Sequence, residues 1–130
     1  MSTRARIGLE LSDGSILSVY HHWDGYTSWL GKKLEEHYNT LESVTELIDG
    51  GDMSVCLDDD GNPNPQYYSL YEQDCPPRLD PSLGAYCDVE RGEEFHYVYK
   101  PIDGEYFWFA IDQHQYDGTG KQPEVVSIPA

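Results

Sequence analysis

Two pairs of alternating apolar segments, each closed by an Asp-Gly turn, constrain this chain most. From Arg4 to Leu11 the apolar residues Ala5, Ile7, Leu9 and Leu11 fall on one face of an extended chain. Ser12-Asp13-Gly14 follows, and Ser15 to Trp23 returns with apolar residues on both faces. A period of two, broken by a glycine that accepts positive φ, predicts an antiparallel hairpin. The pattern recurs from Glu94 to Lys100, with Phe95, Tyr97 and Tyr99 on one face and a turn at Pro101-Ile102-Asp103-Gly104. Its return, Glu105 to Ile111, is apolar on both faces, which suits a central strand. Six of the twelve glycines follow Asp (Gly14, Gly25, Gly50, Gly61, Gly104 and Gly118), so turns punctuate the whole chain.

Between the hairpins the period changes to that of a helix. Leu30, Leu34 and Tyr38 predict a helix over 28–38, capped by Thr27 or Ser28. Asn39 or Thr40 caps a second, with Leu41, Val44, Leu47 and Ile48 as its stripe and Gly50-Gly51 as its end. Met53 to Leu57 and Glu124 to Ile128 read as short strands. Residues 58–82 hold five of the eight prolines and predict a long surface loop, with one helical turn near Tyr67 to Tyr71. The expected fold class is α+β: a mostly antiparallel sheet with two short helices on one face and a long Pro-rich acidic loop. A length of 130 residues argues for a single domain, 1–130.

Charge is the compositional outlier. The net charge is −16, and residues 39–120 carry −15 of it, against −1 for 1–38 and zero for 121–130. Dense points are Asp58-Asp59-Asp60, Asp88 with Glu90, and Glu93-Glu94. This excludes direct nucleic-acid binding by general electrostatics, which needs Lys and Arg on phosphates. It also argues against docking on anionic membranes. The start lacks the apolar stretch of a secretory signal, and the longest aromatic-apolar run, Tyr106 to Ile111, is far short of a membrane span. Three cysteines, Cys56, Cys75 and Cys87, without Cys-x-x-Cys spacing, fit a reducing cytoplasm better than a disulfide scaffold or zinc ribbon.

Few motifs carry chemistry. Tyr20-His21-His22-Trp23-Asp24-Gly25-Tyr26 is the densest cluster of reactive side chains, with His37 to follow. His22, Asp24 and His37 suggest a divalent metal, but the spacings that metal sites use are missing. Asp58-Asp59-Asp60-Gly61-Asn62 fails as a calcium loop, because alignment on Gly61 puts Cys56 and Tyr67 at ligand positions. No Gly-x-Ser-x-Gly and no phosphate-cradling glycine loop occur. The sequence leaves open a spatial pairing of Cys56 or Cys87 with His96 or His114. No cofactor and no catalytic residue is expected.

The run Tyr20-x-His22-Trp23-Asp24-Gly25-Tyr26, then Gly31, Leu34 and His37-Tyr38, then Leu47-Ile48-x-x-Gly51-Asp52-x-Ser54, resembles a family of small proteins of phages, prophages and bacteria. The resemblance covers about residues 4–54 and brings no settled activity with it. It implies a phage-encoded origin, a setting in which small acidic proteins bind and disable host or defence enzymes.

Two functions follow as expectations. The first is an inhibitor whose anionic face imitates nucleic acid and meets the basic surface of a host or defence protein in the host cytoplasm. Duplex DNA carries one charge per ~1.7 Å, so fifteen surplus charges match roughly 25 Å of duplex. A domain of this size is about 35 Å across. The expected phosphate surrogates are Asp58, Asp59, Asp60, Asp74, Asp80, Asp88, Glu90, Glu93 and Glu94, with Tyr67, Tyr68 and Tyr71 as contacts. The second is a small-molecule (nucleotide or metal) binder or hydrolase built on the His22, Trp23, Asp24, Tyr26 and His37 corner. A virion assembly role is disfavoured by the lack of long helices, repeats and arms. The oligomeric state is left open.

Overall fold

In the computed structural model, residues 3–68, 75–86, 94–112 and 125–127 are described. Both expected hairpins form. Strand β1 (Ala5–Glu10) pairs antiparallel with β2 (Ile16–His21), with Ile7 opposite Val19. Gly14 takes φ +88° in their turn, while the Asp13 carboxylate accepts from Ser15 N at 3.0 Å and Ser15 Oγ at 2.5 Å. Those two bonds hold the Asp13 carboxyl below its ordinary range. Strand β4 (Phe95–Ile102) pairs with β5 (Glu105–Asp112) across a turn in which Asp103 and Gly104 are both left-handed, as a type I′ turn requires.

The hairpins join through a parallel pairing of β1 with β4, Ala5 opposite Phe95 and Ile7 opposite Tyr97. Glu94 secures the start of that seam: its Oε2 accepts from Arg4 N at 3.0 Å, and its own N–H donates to Arg4 O at 2.9 Å. Short strands β3 (Arg78–Asp80) and β6 (Val125–Ser127) complete a six-stranded sheet, ordered β3-β2-β1-β4-β5-β6. Every other neighbouring pair is antiparallel. Strand β3 corrects the reading of 58–82 as all loop: Ile16 faces Asp80 and Ser18 faces Arg78. The remaining part of the loop expectation and of the Tyr67–Tyr71 turn, residues 69–74, lies outside the described residues.

The helix expected over 28–38 begins instead with a π-helical turn, Thr27–Gly31, which runs into α1 (Lys32–His37). Tyr26 occupies its N-cap without a side-chain bond, so neither Thr27 nor Ser28 caps it. Helix α2 (Leu41–Asp49) follows the expectation. Thr40 and Ser43 form a reciprocal capping box, a device worth about 0.5–2 kcal/mol, and Gly51 at φ +86° follows its end. Met53 to Leu57 makes only isolated bridges, to His21, Tyr67 and Pro63.

Strand parity sorts the core. Ala5, Ile7, Leu9, Val19, Tyr97, Tyr99, Trp108 and Ala110 face the helices, where Leu30, Leu34, Val44, Leu47 and Ile48 pack on them. Trp108 Nε1 donates to Tyr38 O at 2.7 Å, and Tyr97 Oη to Gly25 O at 2.7 Å, so buried polar atoms tie the layers together. The opposite face buries Ile16, Val98, Ile111 and Tyr86 under a single helical turn, α3 (Leu83–Tyr86). On that face the buried Arg6 donates from Nε to Ser18 Oγ at 2.9 Å. No helix among the described residues is long and apolar enough to cross a membrane.

Candidate binding pocket

The end of β2 is held by the segment that follows α2. Asp52 Oδ1 accepts from Tyr20 N at 2.8 Å, and Met53 N donates to Tyr20 O at 2.8 Å. Ser54 O then accepts from both His22 N (3.2 Å) and Trp23 N (3.0 Å). Beyond it the chain doubles back: Ser54 N donates to Gln66 O, Gln66 N to Val55 O and Asn64 N to Cys56 O. The tip is the acidic turn. Asp58 Oδ1 accepts from Asp60 N and Asn62 N, both at 2.9 Å. Gly61 sits at φ +82° with Lys33 and Trp29 so near that a Cβ would meet both. The Asp58–Gly61 turn is thereby laid against the π-helical turn.

A cavity of about 290 Å³ opens where these segments meet, lined by His21, Trp23, Asp24, Tyr26, Trp29, Val55, Leu57, Asp58 and Asp59. Trp23 (47% exposed) and Tyr26 (39%) leave large aromatic surface at the solvent. Asp24 takes φ +55°, and its neighbour Gly25 packs where a Cβ would strike Ala5 and Thr3 O. Lining side chains include three carboxylates and no Lys or Arg.

His21 is the buried polar member of this wall, only 2% exposed. Its Nε2 accepts from Cys56 N at 3.1 Å, so the neutral ring carries its proton on Nδ1. Burial foremost, with His22 nearby, pushes its pKa down to about 3, so the ring is neutral near pH 7. Nδ1 has no hydrogen-bond partner among the described residues. A buried donor left unmade costs about 1–3 kcal/mol. Burial also pushes the Cys56 thiol up to about 12, which removes it as a nucleophile. Cys56 packs on the helix side of the sheet, whereas His96 stacks edge-on against Tyr86 on the other side, so that pairing does not form. Cys87 and His114 lie outside the described residues.

The two sequence-predicted sites meet here in part. Trp23, Asp24 and Tyr26 from the His-Trp-Asp corner stand beside Asp58 and Asp59 from the acidic run. His22 and His37 are not part of the wall. His22 shares a 2.7 Å hydrogen bond with Tyr20 Oη and stacks edge-on against Trp23; His37 lies 3.8 Å from Glu36. Among the described residues no three His, Cys, Asp or Glu side chains converge as a metal site. The sequence shows His21 within the corner but assigns it no role, and it assigns none to Trp29, Val55 and Leu57. Strand parity alone pointed to His21, which shares the inward face of Leu17 and Val19.

Other expected contacts are corrected by burial. Asp80 is 3% exposed and accepts from Arg78 Nε at 2.9 Å, so it serves the β2–β3 edge and is no surface anion. Glu94 is half-buried on the β1–β4 seam. Tyr67 is half-buried, donates to Leu47 O at 2.8 Å and, desolvated there, has its hydroxyl raised to about 12. It is a strut between α2 and the loop. Tyr68 is half-buried as well, its hydroxyl raised mainly by desolvation. Asp59 and Asp60 are exposed as expected. Asp74, Asp88, Glu90, Glu93 and Tyr71 lie outside the described residues. Comparison of the chain with protein-family models, curated proteins and solved structures returned no match.

Proposed function

We propose that this chain is a phage-type anionic binding protein that docks on the basic surface of a host or defence nucleic-acid-binding protein and competes with its nucleic acid. The observation that supports this reading is where the few cations go. Arg6 is buried on Ser18, Arg78 pairs with Asp80, Lys33 lies 3.3 Å from Glu36, and Lys100 lies over the Phe109 ring, which leaves Arg4 and Lys32 as the exposed cations among the described residues. Asp24, Asp59 and Asp60 meanwhile stay exposed, beside an aromatic pocket without a basic lining side chain. A field left uncompensated in this way speeds and orients encounter with a cationic groove.

The test is capture of partners from host lysate at low and high salt, followed by competition with duplex DNA and RNA. The expected complex weakens steeply with salt and is displaced by nucleic acid. Capture that ignores ionic strength and adds to nucleic-acid binding overturns the reading. Asp59→Lys with Asp60→Lys is the informative variant. Asp58 is kept, because its carboxylate builds the turn.

The pocket favours a second reading, a binder of small ligands, in a narrower form than the sequence suggested. Three carboxylates repel phosphate, and 290 Å³ falls just under the ~300–1,000 Å³ usual for small-molecule sites. Nucleotides fit neither criterion.

A further inference from the structure

A second cavity, of about 460 Å³, lies between α2 and the loop that returns beside it. Its size is within the ~300–1,000 Å³ usual for small-molecule sites. Leu47, Pro63, Pro65, Tyr38 and Tyr67 make its lining mostly apolar. Gly50 lets Tyr67 close over the helix end, where a Cβ would run into its ring.

The polar groups left open to this cavity are acceptors. Tyr67 gives its hydroxyl proton to Leu47 O at 2.8 Å and keeps only lone pairs for anything else. Ser43 Oγ is committed to the helix cap, where it donates to Thr40 O and accepts from Thr40 N. Glu46 brings an exposed carboxylate that makes no ion pair among the described residues. No described Lys, Arg or His lines the cavity.

Tyr38 is the observation that points to a ligand. The residue is only 7% exposed, yet its Oη has no hydrogen-bond partner among the described residues. Unlike His21 Nδ1, this oxygen is not sealed from water. Burial foremost, with Cys56, Tyr67 and Glu46 near it, raises the hydroxyl above its ordinary range, so it is neutral near pH 7. Tyr67 and Glu46 line the same cavity, which puts Oη at its wall. A hydrocarbon would leave Oη and the carboxylate unanswered, and an anion would be repelled by Glu46. An ammonium group carries three donors and no acceptor, which matches what the lining offers.

We propose that the cleft between α2 and the Pro63–Tyr67 loop binds a small primary amine with an aryl or branched apolar body, the ammonium donating to Glu46 and Tyr38 Oη and the body lying against Leu47, Pro63 and Pro65. This site is separate from the cavity at Trp23 and independent of nucleic-acid mimicry. Failure of partner capture and failure of this site are therefore separate results.

The experiment is titration of the intact protein at pH 7 with 2-phenylethylamine, followed by the NMR signals of the Tyr38 and Tyr67 rings. The expected result is a saturable shift of both, with a Kd on the order of 1 mM for a ligand of this size. 2-Phenylethanol, neutral and nearly isosteric, binds about threefold or more weaker. Glu46→Gln, at an exposed position, makes the amine and the alcohol bind alike without lowering Tm. Tyr38→Phe keeps the ring and lowers amine affinity about threefold. Trp23→Ala, in the other cavity, leaves amine binding unchanged. No saturable shift of the Tyr38 and Tyr67 signals overturns the site, as does loss of binding in Trp23→Ala. Alcohol binding as tight as the amine, or a preference for the amine that survives Glu46→Gln, overturns the ligand class. Glu46→Gln decides this even if Tyr38→Phe does not fold.

Discussion

Nε2 of His21 accepts a hydrogen bond from the backbone N–H of Cys56 at 3.1 Å, joining the end of β2 to a loop 35 residues further along the chain. Both groups are buried, and the bond shapes the pocket as well as the loop. His21→Leu removes the acceptor and leaves the Cys56 N–H desolvated. The expected loss is about 1–3 kcal/mol in urea unfolding, with faster exchange of the Cys56 amide. His21→Gln, which keeps an acceptor of similar reach, recovers part of the loss.

The same histidine makes stability depend on acid. Its pKa is about 6.5 in the unfolded chain and about 3 in the folded protein. Between those values the unfolded state holds the extra proton, so stability is full above pH 6.5 and falls as the pH drops towards 3. The slope approaches about 1.4 kcal/mol per pH unit. Urea titrations at pH 7, 6, 5 and 4 measure it. The pH 6.5–4 slope is shallower in His21→Gln; an unchanged slope refutes the assignment.

Cys56 is closed to reagents in the native protein. Its side chain is buried and its thiol is raised to about 12. Alkylation with iodoacetamide at pH 8, followed by peptide mass spectrometry, labels Cys56 only after unfolding. Labelling of native Cys56 at the rate of an unfolded control contradicts this.

Gly8 has no room for a side chain. A Cβ there would lie 2.8 Å from Ile16 Cγ2 and 3.0 Å from the Tyr86 ring. Tyr86 is anchored by its hydroxyl on Tyr97 O at 2.6 Å, so it yields little. Gly8→Ala is expected to cost about 1–3 kcal/mol and to alter the near-UV spectrum of the tyrosines.

Asp80 and Asp59 separate structural from surface anions. Asp80→Ala strips the buried carboxylate from Arg78 and is expected to cost about 1–3 kcal/mol, read as a lower urea midpoint. Asp59→Lys, on the exposed turn, leaves the unfolding free energy within about 0.5 kcal/mol. If the two variants behave alike, the division is wrong.

Much of the candidate site was present in the sequence as two unrelated features. Trp23, Asp24 and Tyr26 stood out as a corner, and Asp58 and Asp59 as an acidic turn. Nothing local relates residue 23 to residue 58; Ser54 O, accepting from His22 N and Trp23 N, brings them together. Asp80 looked like one more surface charge because a three-residue edge strand has too short a pattern to betray its burial. Cys75, near the described end of the same segment, accepts from Asp52 N at 2.9 Å, another contact without a local signature.

Local interactions wrote the hairpins, the Thr40 cap and the Gly50-Gly51 stop into the sequence, since each depends on residues within a few positions of one another. The parallel seam between β1 and β4 was decided only in the folded chain, as were the burial of Asp80 and the wall of Trp23, Trp29, His21 and Asp58. Those pairings span tens of residues, where strand period gives the face a side chain takes but not the neighbour it meets. Which distant segments meet is settled by joint burial of the apolar faces and by the backbone donors and acceptors that must then be matched.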